Sequence, residues 1–369
     1  MAAVPDELVE LAAELDALGG GDSRVGEAAV YCRIRPVESG LTGAQIVNSG
    51  SGASHVLVRD PHATDSMPVQ QALRRYRVSP HGVIGGVEAN APGAGGASQD
   101  DVYSSLGSDL FEWWLAGFNA TLIAHGQSGS GKTYTLYGPA AVVYGSPTRP
   151  EATGLIPRLL SRVYGMMDAS GRKGPDLALA ITCYEVRHSG AVDLLAPPEA
   201  DRSVRPSQPS QMTSVSAPTL LDAFSLLATA QSRSLNWVVA SSADAGRTLV
   251  AAPGRASFVI HLTLHNARRT SISHLHIVDL VGTGAFAHVG ASTSGPSPGY
   301  AACSCATDFE RRCLSQHLLS FTRMLAELGQ LDPAASAASR RPLLAARESR
   351  LTQVRTRKRL AAWCGICLT

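Results

Sequence analysis

Phe118-Asn119-Ala120-Thr121-Leu122-Ile123-Ala124-His125-Gly126-Gln127-Ser128-Gly129-Ser130-Gly131-Lys132-Thr133-Tyr134-Thr135 decides how the rest of the chain is read. Leu122, Ile123 and Ala124 read as the end of a buried strand, and Gly126 to Thr133 fit G-x-x-x-x-G-K-[ST], a phosphate-binding loop. Glycines let successive backbone N–H groups turn inward as a nest for phosphate oxygens, and a following helix adds its positive end. In such a loop Lys132 reaches the β- and γ-phosphates, and the Thr133 hydroxyl ligates Mg²⁺. The stretch predicts a nucleotide site formed by Gly126, Gln127, Ser128, Gly129, Ser130, Gly131, Lys132, Thr133 and Tyr134.

A second stretch supports the first. His274-Leu275-His276-Ile277-Val278-Asp279 is a largely apolar run ending in a carboxylate, the form of the strand that faces a phosphate loop. Asp279 can hold Mg²⁺ through water, and the Gly282 N–H can sense the γ-phosphate. Other nucleotide folds are excluded by what is missing. A dinucleotide fold needs G-x-G-x-x-G after its first strand, and a guanine reader needs Asn-Lys-x-Asp; neither pattern occurs here.

Composition bounds the class. Apolar residues make up 44% of the 369, enough for a globular core, and no apolar run approaches the length of a membrane span. Seven cysteines, an odd number at irregular spacing, point to reduced thiols in an intracellular setting. Cys364 and Cys367 have a spacing that metal ligands use, but they flank Gly365 and Ile366 in an apolar, strand-like run. Charge is unevenly placed. Arg340 to Arg359 holds eight basic residues against one acid, Glu348, so a chain of net charge +2 carries +7 there and −5 elsewhere. On charge alone, this segment is either a solvated helix face or a surface for an anionic partner.

The pattern along the chain alternates strand and helix. Leu8, Leu11, Leu15 and Leu18 predict a short amphipathic helix ahead of Gly19-Gly20-Gly21. Ala28 to Arg35 reads as a strand closed by Pro36, and residues 37 to 79 as a side lobe of short strands. His81 to Ala97 reads as a loop, and Ser98 as the N-cap of a helix that packs Trp113 and Trp114 on the sheet. Leu177 to Val186, Ser257 to Asn266 and Ser273 to Leu280 read as strands, Leu220 to Ser234 and Glu310 to Leu328 as helices.

Several of these stretches, in order, resemble kinesin motor domains. The quoted loop is similar to the family's Tyr-Asn-Gly-Thr followed by Ala-Tyr-Gly-Gln-Thr-Gly-Ser-Gly-Lys-Thr-Tyr-Thr-Met. Arg33-Ile34-Arg35-Pro36 resembles its Arg-x-Arg-Pro, which implies that Arg33, Arg35 and Pro36 line an adenine pocket. Ser98 to Tyr103, Gly154 to Arg158, Asp193-Leu194-Leu195 and Leu318 to Leu328 have counterparts as well. Arg347-Glu348-Ser349-Arg350-Leu351-Thr352 resembles Arg-Asp-Ser-Lys-Leu-Thr, which lies at the family's tubulin contact, so Arg347, Arg350 and Arg355 are implied to bind microtubules.

The resemblance implies a P-loop α/β fold with a central, mostly parallel sheet flanked by helices on both faces. It implies ATP and Mg²⁺ as cofactors, microtubules as the partner, and the cytoskeleton as the place of action. Neither nucleic acid nor membrane insertion is expected. Residues 1–25 would be a helical extension, and 26–369 a motor domain shortened at its C-terminal side, without neck linker or coiled coil. Lys132, Asp279, Gly282 and Arg255 would be the catalytic residues.

Both switch segments depart from the family wording. The first, Asn-x-x-Ser-Ser-Arg-Ser-His, is matched by Pro253-Gly254-Arg255-Ala256-Ser257, which keeps the Arg and loses three serines. The second, Asp-Leu-Ala-Gly-Ser-Glu, is matched by Asp279-Leu280-Val281-Gly282-Thr283-Gly284, which loses the Glu that pairs with that Arg. Losing one positioned group costs about 10²–10³ in rate. Two functions follow: a microtubule-stimulated ATPase motor, or a hydrolysis-impaired nucleotide-binding tether at microtubules.

Overall fold

The quoted stretch opens on a strand that occupies the middle of a sheet. In the computed structural model, residues 28–33, 44–48, 54–59, 73–77, 83–84, 97–126, 129–139, 150–169, 177–187, 189–197, 199, 203–204, 212–242, 246–251, 256–282, 316, 319, 320, 323 and 363–368 are described. The main sheet is built from β1 (Ala28–Arg33), β5 (Val83–Ile84), β6 (Ala120–Gly126), β7 (Leu177–Val186), β8 (Ala191–Asp193), β9 (Ser203–Val204), β10 (Val215–Ser216), β13 (Ser257–Asn266), β14 (Ser271–Asp279) and β15 (Trp363–Leu368). Its order is β5-β1-β15-β6-β14-β13-β7-β8-β9, with β10 paired to β7.

The sheet is mixed. From β5 to β14 the neighbours run parallel; from β14 to β9 they alternate, and β10 is antiparallel too. The change comes at the β13–β14 hairpin, where Arg269 N–H donates to Asn266 Oδ1 at 3.2 Å and Thr270 takes a φ of 49°. The parallel half carries the phosphate loop. A parallel strand between parallel neighbours is covered on both faces and reads as a continuous apolar run, which is why Leu122-Ile123-Ala124 shows no alternation.

Register explains the core. Leu122, Ile277, Ile260 and Cys183 lie side by side across four strands, each at most 1% exposed. Val102, Leu106, Phe111, Trp114, Leu136, Leu159 and Leu227 from the helices join them in one cluster. Burying each large apolar side chain contributes about 1.5–3 kcal/mol. On the opposite face Ile123, Val278, Val259 and Tyr184 form a second buried row.

Two of the helices begin at capping boxes. Ser98 accepts from Asp101 N–H while the Asp101 carboxylate accepts from Ser98 N–H, which opens α1 (Gln99–Val102). A π-helical stretch, Tyr103–Gly107, continues it into α2 (Ser108–Leu115). Then come α3 (Lys132–Tyr137), α4 (Leu155–Ala169) and α5 (Leu220–Arg233), the last with a Thr219–Asp222 capping box.

Two expectations need correcting, and one element is new. Trp114 is buried, but Trp113 is 39% exposed and meets Phe118 at 5.8 Å instead of the sheet. Consecutive helical residues point about 100° apart, so one stripe cannot take both. The loop expected from His81 to Ala97 contains the edge strand β5. The stretch after Leu235 holds an unforeseen hairpin, β11 (Trp237–Ser242) with β12 (Gly246–Ala251).

The side lobe is a separate antiparallel sheet of β2 (Ala44–Asn48), β3 (Ser54–Arg59) and β4 (Leu73–Arg77). Residues 1–25 lie outside the described residues. Of the helix expected over 310–328, only Gln316, Leu319, Ser320 and Arg323 are described, and all are helical.

Candidate functional site

The ends of β6 and β14 define the site. They pair in register with Asp279 beside Ala124, and Leu280 N–H donates to Ala124 O at 3.2 Å. Both strands therefore deliver their following residues to one end of the sheet, the carboxyl end where α/β folds bind ligands.

Beyond β6 the chain turns on glycine. Gly129 and Gly131 take φ of 81° and 100°, where a side chain would strain the backbone. A Cβ on either would meet nothing within 4 Å, so the demand is conformational, and the space beside the loop is open. Gly131 then caps α3. The enclosed Ser130 hydroxyl has no partner among the described residues.

Lys132 is only 7% exposed, and its Nζ donates to Gly126 O at 3.0 Å, across the mouth of the loop. Burial holds its ammonium below the usual lysine range, while Asp279 pulls the other way. His125 is likewise depressed, by burial first and by Lys132 second. Thr133 Oγ1 donates to Asp279 Oδ2 at 2.7 Å. Burial pushes the Asp279 carboxyl up to about 6, against the Thr133 hydrogen bond and the Lys132 charge. An anion enclosed in this way gains from a nearby cation. Gly282, three residues on, is buried.

Arg33 sits at the end of β1 and is turned inward. Its guanidinium donates to Thr135 Oγ1 at 2.6 Å, Ala97 O at 2.8 Å and Gln99 Oε1 at 3.2 Å, and lies 5.7 Å from the centre of the Tyr134 ring. Gln99 in turn donates to Tyr134 O at 2.7 Å. This knot ties β1 and α1 to α3, the helix that carries Lys132 and Thr133. Gln99 and Thr135 were missed from sequence. The available signal was a Gln directly after an N-cap, a position usually exposed, that the fold buries.

The structure thus brings together Gly126, Gly129, Ser130, Gly131, Lys132, Thr133, Asp279 and Gly282, with Arg33 and Tyr134 joined to them through α3. Gln127, Ser128, Arg35, Pro36, Arg255, Arg347, Arg350 and Arg355 lie outside the described residues.

Comparison with known proteins matches residues 91–296 to the kinesin motor domain. The kinesin-like protein KIN-12B of Arabidopsis thaliana is 33% identical over 105 residues, 27% of this chain and 8% of that protein. KIN-14D of the same plant is 26% identical over 295 residues, 72% of this chain and 33% of that protein. The matched stretches thus span a third or less of these relatives' length.

Among solved structures, KIF14 with ADP in complex with a microtubule superposes with a TM-score of 0.61 at 19% identity, covering 93% of this chain and 89% of that one. The Drosophila kinesin family member NOD in complex with AMPPNP gives 0.57 at 17%, covering 94% and 92%. These two likenesses show a shared fold. With the match to the family over most of the sheet and the phosphate loop at the end of β6, the chain belongs to the kinesin motor-domain family.

Proposed function

We propose that the chain is a kinesin-type nucleotide-binding motor domain that hydrolyses ATP and acts on microtubules. The observation that carries this reading is the meeting of Thr133 and Asp279 at 2.7 Å beside Lys132, at the end of β6. The site fits a nucleotide with Mg²⁺ on three counts. Space is open beside Gly129 and Gly131, the Ser130 hydroxyl has no partner among the described residues, and a buried carboxylate has its pKa raised to about 6. Thr133 and Asp279 would hold the metal, whose chemistry is to neutralise charge on the β- and γ-phosphates.

The chain's own residues would do the rest. Lys132 would leave Gly126 O for a phosphate oxygen, a stronger acceptor for a charged donor. The backbone N–H groups of the glycine loop would fix the phosphates, and Gly282 would offer its N–H on the far side. Arg33, held by Gln99, Thr135 and Ala97, keeps α3 seated on β1. The partner surface would be basic Arg347, Arg350 and Arg355 against acidic tubulin, and the place of action would be the cytoskeleton. Among the described residues, no helix is long and apolar enough to cross a membrane.

A second reading has its own support. Ala256, buried in the first switch segment, has no hydroxyl, and Gly284 has no carboxylate. With those groups absent, water positioning falls to the backbone, and the chain would bind nucleotide and microtubules while turning over slowly. Steady-state ATP hydrolysis, measured with and without polymerised microtubules, separates the two readings. Microtubule-stimulated turnover establishes the motor. Binding of nucleotide and microtubules without stimulated turnover establishes the tether, and binding of neither rejects both.

A further inference from the structure

A run of hydrogen bonds crosses the ends of β7, β13 and β14 next to the phosphate loop. Glu185, fully buried, accepts from Ser234 Oγ at 2.9 Å and Leu235 N–H at 3.1 Å, and pairs with Arg187. Ser234 Oγ also accepts from Asn236 N–H at 3.1 Å, which fixes the residue that matters most. The Asn236 carboxamide then takes both backbone groups of one distant residue. Its Nδ2 donates to Ala256 O at 2.7 Å, and its Oδ1 accepts from Ala256 N–H at 3.1 Å.

This two-point grip does for a single residue what a neighbouring strand does for a whole one. The next residue continues the run, since Ser257 Oγ accepts from Val281 N–H at 3.3 Å. Val281 follows Asp279 by two residues, and Asp279 accepts from Thr133. The bonds therefore lead from α5, through the start of β13, to the carboxylate beside the phosphate loop.

In the sequence, Gly284 stands where the resembled family has the Glu that pairs with the counterpart of Arg255. We infer that Asn236 and Ser257 are positioning residues: Asn236 seats Ala256 on the end of α5, Ser257 ties the start of β13 to Val281, and this fixed spacing slows release of a nucleotide from the loop. The inference rests on the nucleotide reading of the site. It assigns this task to an amide and a hydroxyl acting on backbone. Freeing the start of β13 from α5 requires breaking the Asn236 grip, and freeing Val281 from it requires breaking the Ser257 bond, while the β13–β14 ladder keeps Phe258 beside Asp279. Each is a neutral hydrogen bond that contributes modestly, and a fully lost grip predicts release about tenfold faster.

The test is release of a fluorescent ADP analogue from the full chain, chased with excess ATP. Asn236→Ala is expected to accelerate release about tenfold. Asn236→Asp keeps the acceptor for Ala256 N–H but sets a carboxylate oxygen against Ala256 O, so it should accelerate release at least as much as Asn236→Ala; Ser257→Ala should accelerate it through a different bond. Amide hydrogen exchange provides a readout without nucleotide: Asn236→Ala should deprotect Ala256, and Ser257→Ala should deprotect Val281. Release unchanged within about twofold in all three variants overturns the inference, even if their melting temperatures fall. A wild-type chain that never binds the analogue overturns the nucleotide reading itself, a result distinct from unchanged release.

Discussion

The backbones of Gly138 and Gly154 are in contact. A Cβ on Gly154 would stand 2.5 Å from Gly138 N and from the Tyr137 carbonyl carbon, and one on Gly138 would stand 2.5 Å from Ala152 O. The end of α3 is thereby pressed onto the start of α4, and α3 carries Lys132. Gly154→Ala should destabilise the fold by more than about 2 kcal/mol, since backbone on both sides leaves the methyl no room. Gly165→Ala is the control. It lies in the middle of α4 with nothing within 4 Å of its Cβ position, and should stabilise by about 0.4–1 kcal/mol. Urea unfolding of the two variants measures both, and equal midpoints would refute the contact.

Removing the loop cation has two separable consequences. Lys132→Ala should weaken ATP binding by about 10- to 100-fold, the worth of a charged hydrogen bond to phosphate; calorimetric titration reads it directly. It should also raise the His125 pKa toward its ordinary range, because Lys132 is one of the two causes that lower it. An NMR titration of the His125 ring checks this without any ligand.

Much of this site could be read from the chain, and the reason is local chemistry. Gly129, Gly131, Lys132 and Thr133 stand close in sequence, and the loop's geometry follows from their own backbone preferences. Ser98 and Thr219 were equally open to reading, since a cap answers to a residue three positions on. What could not be read were side chains whose partners arrive through the fold. Arg33 meets Thr135 from 102 positions away, and Glu185 meets Ser234 from 49. No periodicity announces such a pair. The parallel-to-antiparallel change was hidden for a related reason, since β6 and β13 are both apolar runs whatever their neighbours' direction.

Asp279 predicts a pH dependence with a definite sign. Burial pushes its carboxyl up to about 6, against an ordinary value of 3.8. Between those values the folded state keeps a proton that the unfolded chain releases. Its contribution to stability is therefore complete below the lower value and lost as pH rises through the upper one, a change of about 3 kcal/mol at most. Asp279→Asn should abolish that slope when unfolding free energies are compared from about pH 4.5 to 7.5. Affinity for Mg²⁺-nucleotide should move oppositely in the wild type and strengthen as the carboxylate forms. Identical pH profiles in wild type and variant would exclude Asp279 as the titrating group.

The basic segment can be tested by salt. Replacing Arg347, Arg350 and Arg355 with Gln should weaken microtubule co-sedimentation and flatten its dependence on ionic strength between about 0.05 and 0.2 M. Equal sedimentation of variant and wild type across that range would identify the segment as a solvated face.

The position of β15 bears on how the molecule is made. It lies between β1 and β6 and pairs with both, and among the described strands it alone joins the β5–β1 pair to the rest of the main sheet. Residues 28–33 and 120–126 leave the ribosome long before residues 363–368 do. Until then, two strand edges wait unpaired and open to the wrong neighbour. Assembly of this sheet thus waits on residues far along the chain, and nascent chains stalled before residue 363 should engage chaperones far more than those stalled well beyond residue 368.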